Sequence, residues 1–84
     1  MTIVFTNHAE KKLKDLKNLG VDVTKSLIKN VLKNPLHVDE ESDPPRKIAS
    51  GKFDDNHLLR VVFREENDII IVITFYPAKK GRYF

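Results

Sequence analysis

The chain has 84 residues, of which 40% are hydrophobic and 32% are charged, and its formal net charge is +3. This length allows one domain, which buries about 60 to 65% of the surface of the unfolded chain. The absence of cysteine excludes disulfide bonds and thiolate metal ligands and predicts a cytoplasmic location. No stretch approaches the roughly 18 apolar residues of a membrane span, and no secretory signal is visible at the N-terminus.

Charge is distributed unevenly along the chain. Residues 1–38 and 69–84 carry an excess of lysine and arginine, whereas residues 39–68 carry an excess of aspartate and glutamate. This distribution is compatible with a polyanionic or acidic protein partner. A lysine-rich helix surface in contact with water explains the same pattern without a partner.

The first residues predict a strand followed by an amphipathic helix. Thr2–Thr6 is a short β-type run, and Asn7 and Glu10 have the spacing of a capping box. The helix is therefore predicted to begin at Asn7 and to direct its charged residues, Lys12 among them, toward water. Gly20 has the position of a left-handed residue that ends a helix.

A second helix is predicted to follow after a connection of about three residues. Asp22 or Thr24 can cap it, and its apolar residues recur at helical spacing. Asn34-Pro35 ends it, because a residue that precedes proline is disfavoured in the helical region. The short connection predicts a helical hairpin on one face of a sheet.

The middle of the chain predicts one or two strands around an acidic loop. Leu36–Val38 is long enough for a short edge strand, and Asp39–Pro45 is a loop in contact with water. Arg46–Phe53 is predicted to be a strand in which Gly51 marks a bulge or a close approach of the backbone to a neighbour.

The last two strands are predicted to form a hairpin. Leu58–Arg64 is the first, and Ile69–Tyr76 is a run of β-branched and aromatic residues that suits a central strand ended by Pro77. The wholly apolar faces of the two strands should coincide. This predicts that Val61 pairs with Ile73 and Phe63 with Ile71, with a three-residue loop of residues 66–68.

This register assigns each side chain of the hairpin to a face. Seven apolar residues are predicted to face the helices: Leu59, Val61, Phe63, Ile69, Ile71, Ile73 and Phe75. Arg60, Thr74 and Tyr76 then share the opposite face. The elements together predict a single α+β domain over residues 1–84, a two-helix hairpin on an antiparallel sheet of three to five strands. The predicted order is β-α-α-β-β-β, with one extra edge strand as an option.

Metal and cofactor sites have little support in the sequence, and none is predicted. His8, His37 and His57 fall on three different elements and lack the local spacing of metal ligands. The acidic loop lacks the glycine and spacing of a calcium loop. Glycine-rich phosphate loops and nucleophile elbows are also absent from the sequence.

The residues best suited to chemistry are cationic and protic. His8, Arg60 and Thr74 are predicted to lie near Tyr76, and a basic tail follows with Lys79, Lys80, Arg82 and Tyr83. Cleavage of RNA without metal requires a base for the 2′-hydroxyl, a cation for the phosphate and an acid for the 5′-oxygen. Local hydrogen bonding of His8, ion pairing of Arg60 and terminal packing of Tyr83 are the structural explanations of the same residues.

Four short motifs occur in an order that suggests a family. They are Thr6-Asn7-His8-Ala9, Lys33-Asn34-Pro35, Leu59-Arg60-Val61-Val62 and Val72-Ile73-Thr74-Phe75-Tyr76-Pro77. In this order, the chain resembles a family of small prokaryotic domains of unknown function that looks related to RelE/ParE- and BrnT-type toxins. One departure is that the first helix carries lysines where the family commonly has arginines.

The resemblance implies a toxin of a toxin–antitoxin pair that cleaves RNA without metal. The residues that match the family are His8, Arg60 and Thr74, with Lys80, Arg82 and Tyr83 as a looser correspondence. The predicted catalytic residues are His8, Arg60, Thr74, Arg82 and Tyr83, and Tyr76, Lys79 and Lys80 are predicted to bind RNA. The implied partners are RNA and a cognate antitoxin protein, and the oligomeric state is left open. A ParE-like protein inhibitor, an interaction module and a non-catalytic nucleic-acid-binding domain are the alternatives, because a fold alone does not establish a reaction.

Overall fold

The computed structural model describes residues 2–81, in which two helices lie on one face of a five-stranded sheet. The elements are β1 (Thr2–Phe5), α1 (Asn7–Asn18), α2 (Lys25–Lys33), β2 (His37–Asp39), β3 (Lys47–Lys52), β4 (His57–Glu66) and β5 (Ile69–Lys79). The predicted α+β class is confirmed, and β2 is the additional edge strand that the sequence allowed.

The sheet has the strand order β1-β5-β4-β3-β2 and is mixed. β1 runs parallel to β5, with Thr2 opposite Ile69 and Phe5 opposite Val72, whereas the other neighbouring strands are antiparallel. The predicted all-antiparallel sheet is therefore wrong at β1. Parallel neighbours need a long crossover connection, which the two helices and three strands between β1 and β5 supply.

α1 begins at the predicted residue but has a different cap. The side chain of Thr6, not that of Asn7, accepts the backbone N–H of Ala9 at 3.1 Å, and its hydroxyl donates to the carbonyl of Ile73 at 3.1 Å. Thr6 is preferred because it satisfies a free helix N–H and binds β5 at the same time. Gly20 ends the helix with a φ of 81°, as predicted.

α2 has the predicted ends. Thr24 accepts the backbone N–H of Leu27 at 3.1 Å, and Asn34 is the C-terminal cap before Pro35. α1 lies over β1 and β5, while α2 lies over β3 and β4. In the described part of the chain, neither helix is long and apolar enough to cross a membrane.

The register of the last hairpin differs from the prediction. Val61 pairs with Phe75 and not with Ile73, and the connection is a two-residue turn of Asn67 and Asp68. Asn67 has a φ of 55°, a left-handed conformation that asparagine tolerates and that tight hairpins require. The tighter turn moves β5 along β4.

A bulge in β5 explains the rest of the difference. Val62 pairs with Thr74, but the next residue, Phe63, pairs with Val72, so Ile73 is an extra residue in β5. The carbonyl of Ile73 accepts the hydroxyl of Thr6. The start of α1 is therefore bonded to β5 at the bulge.

The bulge changes which side chains of β5 face the helices. Ile70 and Val72 belong to the core before it, and Phe75 belongs to the core after it. The predicted inward orientation is confirmed for Phe75. It is wrong for Ile69 and Ile71, which pair with Glu66 and Arg64 and lie outside the core cluster.

The predicted common face of Arg60, Thr74 and Tyr76 is confirmed. Arg60 is opposite Tyr76 in the β4–β5 ladder and Thr74 is opposite Val62, so all of them lie on the side away from the helices. This side is not uniformly polar, because Leu58, Val62 and Ala78 are also buried.

Pro77 does not end β5, which continues to Lys79. β1 covers β5 only from Ile69 to Val72, so within residues 2–81 the later part of β5 has a strand neighbour on one side. Proline has no backbone N–H to donate. It is tolerated at such an edge because the open side has no neighbouring strand to accept a hydrogen bond.

Gly51 makes the close approach that the sequence predicts. A Cβ atom at this position would lie 2.8 Å from Cγ2 of Val31 in α2. We expect Gly51→Ala to lower the free energy of unfolding by about 1–3 kcal/mol, because added atoms overpack the core. Urea denaturation of the two single variants and of the Gly51→Ala, Val31→Ala double variant measures this. A loss in the double variant equal to the sum of the single losses would contradict the contact.

Candidate functional site

His8 lies in the first turn of α1 with its side chain exposed. Its Nε2 atom is 3.2 Å from Oγ1 of Thr74 on β5. Two features produce this contact, since the Thr6 cap holds the start of α1 against β5 and the bulge sets the phase of Thr74. The structure thus brings together two of the residues predicted to carry chemistry.

Lys12 is a third member of this contact, and the sequence prediction missed it. Its Nζ donates to the same Oγ1 of Thr74 at 3.4 Å. Lys12 follows His8 by four residues, so the two side chains lie on one face of α1. That spacing was the available signal, but an amphipathic pattern assigns lysine to water and does not show which strand a helix crosses.

The hydroxyl of Thr74 has a defined part in this arrangement. The ammonium group of Lys12 can only donate, so Thr74 Oγ1 accepts from it. The same oxygen has a second lone pair, which can accept Nε2–H of His8 when the imidazole proton is on Nε2. In that tautomer the hydrogen bond to Thr74 fixes the ring and leaves the lone pair of Nδ1 as the proton acceptor.

Lys12 is held from below by an aromatic ring. Its Nζ lies 5.7 Å from the ring centre of Phe75, a distance at which the ring face attracts a cation. The nearby carboxylate of Asp15 pairs instead with Lys11 at 2.9 Å. In the described residues the charge of Lys12 thus has no carboxylate partner.

Arg60 and Tyr76 form a second contact on the same face of the sheet. Nε of Arg60 donates to the phenol oxygen of Tyr76 at 3.0 Å, and the guanidinium carbon is 5.9 Å from the ring centre. Arg60 is only 6% exposed. Ser50 lies opposite it on β3 and is fully buried, and no group in residues 2–81 forms a hydrogen bond with its Oγ.

Arg60 also acts on the acidic loop next to β2. The hydroxyl of Ser42, which donates to Asp39 at 2.5 Å, is the largest cause that lowers the pKa of Asp39 to about 2. Backbone N–H groups of Glu41 and Ser42 add to this effect, and the charge of Arg60 makes a smaller contribution. Asp39 therefore stays ionised near neutral pH, and its negative charge interacts favourably with the buried guanidinium group of Arg60.

The two contacts are neighbours along β5. Thr74 and Tyr76 point to the same face of the sheet and are about 7 Å apart along the strand. We call the candidate site the group of His8, Lys12, Arg60, Thr74 and Tyr76. A shallow depression of about 300 Å³ adjoins it on α1 and is lined by His8, Lys11, Lys12, Asp15 and Leu16.

The predicted tail residues have different outcomes. Lys79 pairs with His57 at the far end of the hairpin, and the backbone N–H of Lys80 donates to the carbonyl of Asn56 at 2.9 Å. Lys80 lies six residues beyond Thr74, roughly 20 Å along an extended strand, so the structure does not bring it to the candidate site. Arg82 and Tyr83 lie outside the described residues.

The candidate site offers a base and cations but no set of metal ligands. Among residues 2–81, no three histidine or carboxylate side chains come together in a group that could hold a metal ion. Comparison of the chain with protein-family models, curated protein sequences and solved structures finds no match.

The pKa of Asp39 predicts a pH dependence. Because the pKa falls from 3.8 to about 2 on folding, ionised Asp39 stabilises the folded state above pH 3.8, and this contribution is lost as the pH falls through about 2. We expect Ser42→Ala to raise the pKa toward 3.8. An NMR titration of the carboxyl carbons measures it, with Ser26→Ala on the exposed side of α2 as the control. Wild-type Asp39 titrating near 3.8 would contradict the assignment.

Proposed function

We propose that the protein is a toxin-like endoribonuclease that cleaves RNA without metal. The observation that supports this best is the convergence of a histidine nitrogen and a lysine ammonium on Thr74 Oγ1, at 3.2 and 3.4 Å. In RNA cleavage the 2′-hydroxyl of a ribose attacks the adjacent phosphate. This attack requires a base that takes the hydroxyl proton and a cation that stabilises the charge on the phosphate.

The family resemblance supports the same proposal. In the RelE-like arrangement that we propose, the helices cover one face of the sheet, and His8 and Lys12 of α1 reach Thr74 at the edge of β5 that β1 leaves open. In this proposal the protein is a cytoplasmic toxin of a toxin–antitoxin system, and its partners are RNA and a cognate antitoxin. The excess of lysine on α1 and α2 favours a polyanionic substrate.

The proposed reaction is transfer of the phosphate to the 2′-oxygen. Nδ1 of His8 accepts the proton of the 2′-hydroxyl while its Nε2–H stays on Thr74, the bond between O2′ and phosphorus forms, and the bond between phosphorus and O5′ breaks. The products are a 2′,3′-cyclic phosphate and a 5′-hydroxyl. The leaving O5′ takes its proton from Tyr83, as the sequence suggests, or from water. Thr74 orients His8 throughout.

Arg60 and Tyr76 have a supporting part in this mechanism. The hydrogen bond from Arg60 holds the phenol ring at the face of the sheet, next to Thr74. An aromatic ring in this position can stack on a base of single-stranded RNA, which positions the strand without reading its sequence.

A protein-binding toxin without catalytic activity is the second candidate. Val4 and Ile69 are 41% and 40% exposed and lie on the same side of the β1–β5 pair, where they form a small apolar surface. Exposed apolar surface of this kind is common at protein interfaces. This candidate predicts binding of an acidic protein and intact RNA.

The cleavage assay separates the two candidates. We expect purified protein to cleave single-stranded RNA in EDTA, because the site uses side chains in place of a metal. His8→Gln should lower the rate by about 100-fold or more, the usual contribution of a general base. The matched control is His57→Gln, since His57 contacts Asp54 at the other end of the hairpin. Intact RNA with wild-type protein, or equal rates for the two variants, would exclude the proposal.

A further inference from the structure

The predicted phosphate ligand, Arg60, is poorly placed to meet a substrate. It is 6% exposed, and its Nε is engaged by the phenol of Tyr76. A phosphate that reached its guanidinium group would have to enter the buried face of β4. Such a group suits the positioning of another side chain better than contact with RNA.

Lys12 has the properties that Arg60 lacks. It is half-buried on the side of α1 that meets β5, beside a depression with room for a phosphate and a ribose. An ammonium group has three donors, of which the contact with Thr74 uses one. The contact of Nζ with the ring of Phe75 limits the positions that the ammonium can take, which reduces the entropy lost when it binds an anion.

The charges around Lys12 also favour an anion. Lys11 takes Asp15 as its partner, so the nearest carboxylate on this face is already neutralised. The cation of Lys12 faces only a neutral hydroxyl and a ring face in the described residues. An anion that bridges Lys12 and His8 would supply the charge that this group of side chains lacks.

We propose that Lys12, and not Arg60, binds the phosphate of the substrate. The ligand class is a phosphate group in single-stranded RNA, with Lys12 on a non-bridging oxygen and His8 toward the 2′-hydroxyl. This assignment rests on the proposed function for the identity of the substrate, although the phosphate site itself is testable without cleavage. Arg60 is then a positioning residue that acts through Tyr76.

Binding of inorganic phosphate is the first test. Titration of ¹⁵N-labelled protein should shift the amide signals of His8 and Thr74 and leave the Nε–H signal of Arg60 in place. Lys12→Gln should abolish these shifts. Lys14→Gln should keep them, because Lys14 is an exposed lysine of α1 outside this depression. No shift in the wild type, equal shifts in Lys12→Gln, or a shift centred on Arg60 would overturn the assignment.

Cleavage of RNA in EDTA is the second test. Lys12→Gln should slow single-turnover cleavage by about 100- to 1,000-fold, the loss found when one donor to a developing anion is removed. Lys12→Arg should restore part of the rate, and Lys14→Gln should stay within about 3-fold of wild type, as for an exposed charge remote from the reacting atoms.

The two tests separate the two proposals. Phosphate shifts that depend on Lys12, together with intact RNA, support the phosphate site and exclude the nuclease. Cleavage that is unaffected by Lys12→Gln supports the nuclease and overturns the role of Lys12.

Discussion

The hydroxyl of Thr6 is the group on which the site depends most. It accepts the N–H of Ala9 and donates to the carbonyl of Ile73, so a single side chain begins α1 and joins that helix to the bulge of β5. The bulge brings Thr74 into the phase in which it meets His8 and Lys12. The backbone N–H of Thr6 adds a second bond to β5, at the carbonyl of Val72, with a length of 3.1 Å.

The charged and titratable groups of the site differ in how deeply they are buried. Arg60 is buried beside Tyr76 and influences Asp39 across the sheet, whereas Lys12 is half-buried and His8 is exposed. A buried guanidinium is costly unless its hydrogen bonds and charge are met, and it is therefore suited to hold a neighbour in place. A surface ammonium with no carboxylate partner in the described residues is suited to bind a passing anion.

Local chemistry predicted much of the fold. Gly20, Thr24 and Asn34-Pro35 end or begin helices for reasons that need only a few neighbouring residues, and the tight approach at Gly51 follows from the lack of a side chain. The α+β class follows from the two amphipathic helices and the apolar strands. These features depend on short-range hydrogen bonding and periodicity, which a sequence displays directly.

The predictions that were wrong or incomplete concern features that depend on contacts between residues distant in the sequence. Ile69–Tyr76 is apolar or β-branched at almost every position, so either side of that strand could face the helices, and the pattern could not reveal the extra residue Ile73. The sequence also could not show that α1 crosses β5 at Lys12. Arg60 was predicted on the correct face, but its burial depends on the apolar side chains around it.

The most direct measurement of the central claim is the chemistry of the RNA ends. Fragments produced in EDTA are analysed by mass spectrometry, with a matched substrate that carries a single 2′-deoxy nucleotide at the cleavage position. We predict 2′,3′-cyclic phosphate and 5′-hydroxyl ends, and no cleavage at the deoxy position, because the 2′-oxygen is the nucleophile. Fragments with 5′-phosphate ends, or equal cleavage of the deoxy substrate, would contradict the mechanism.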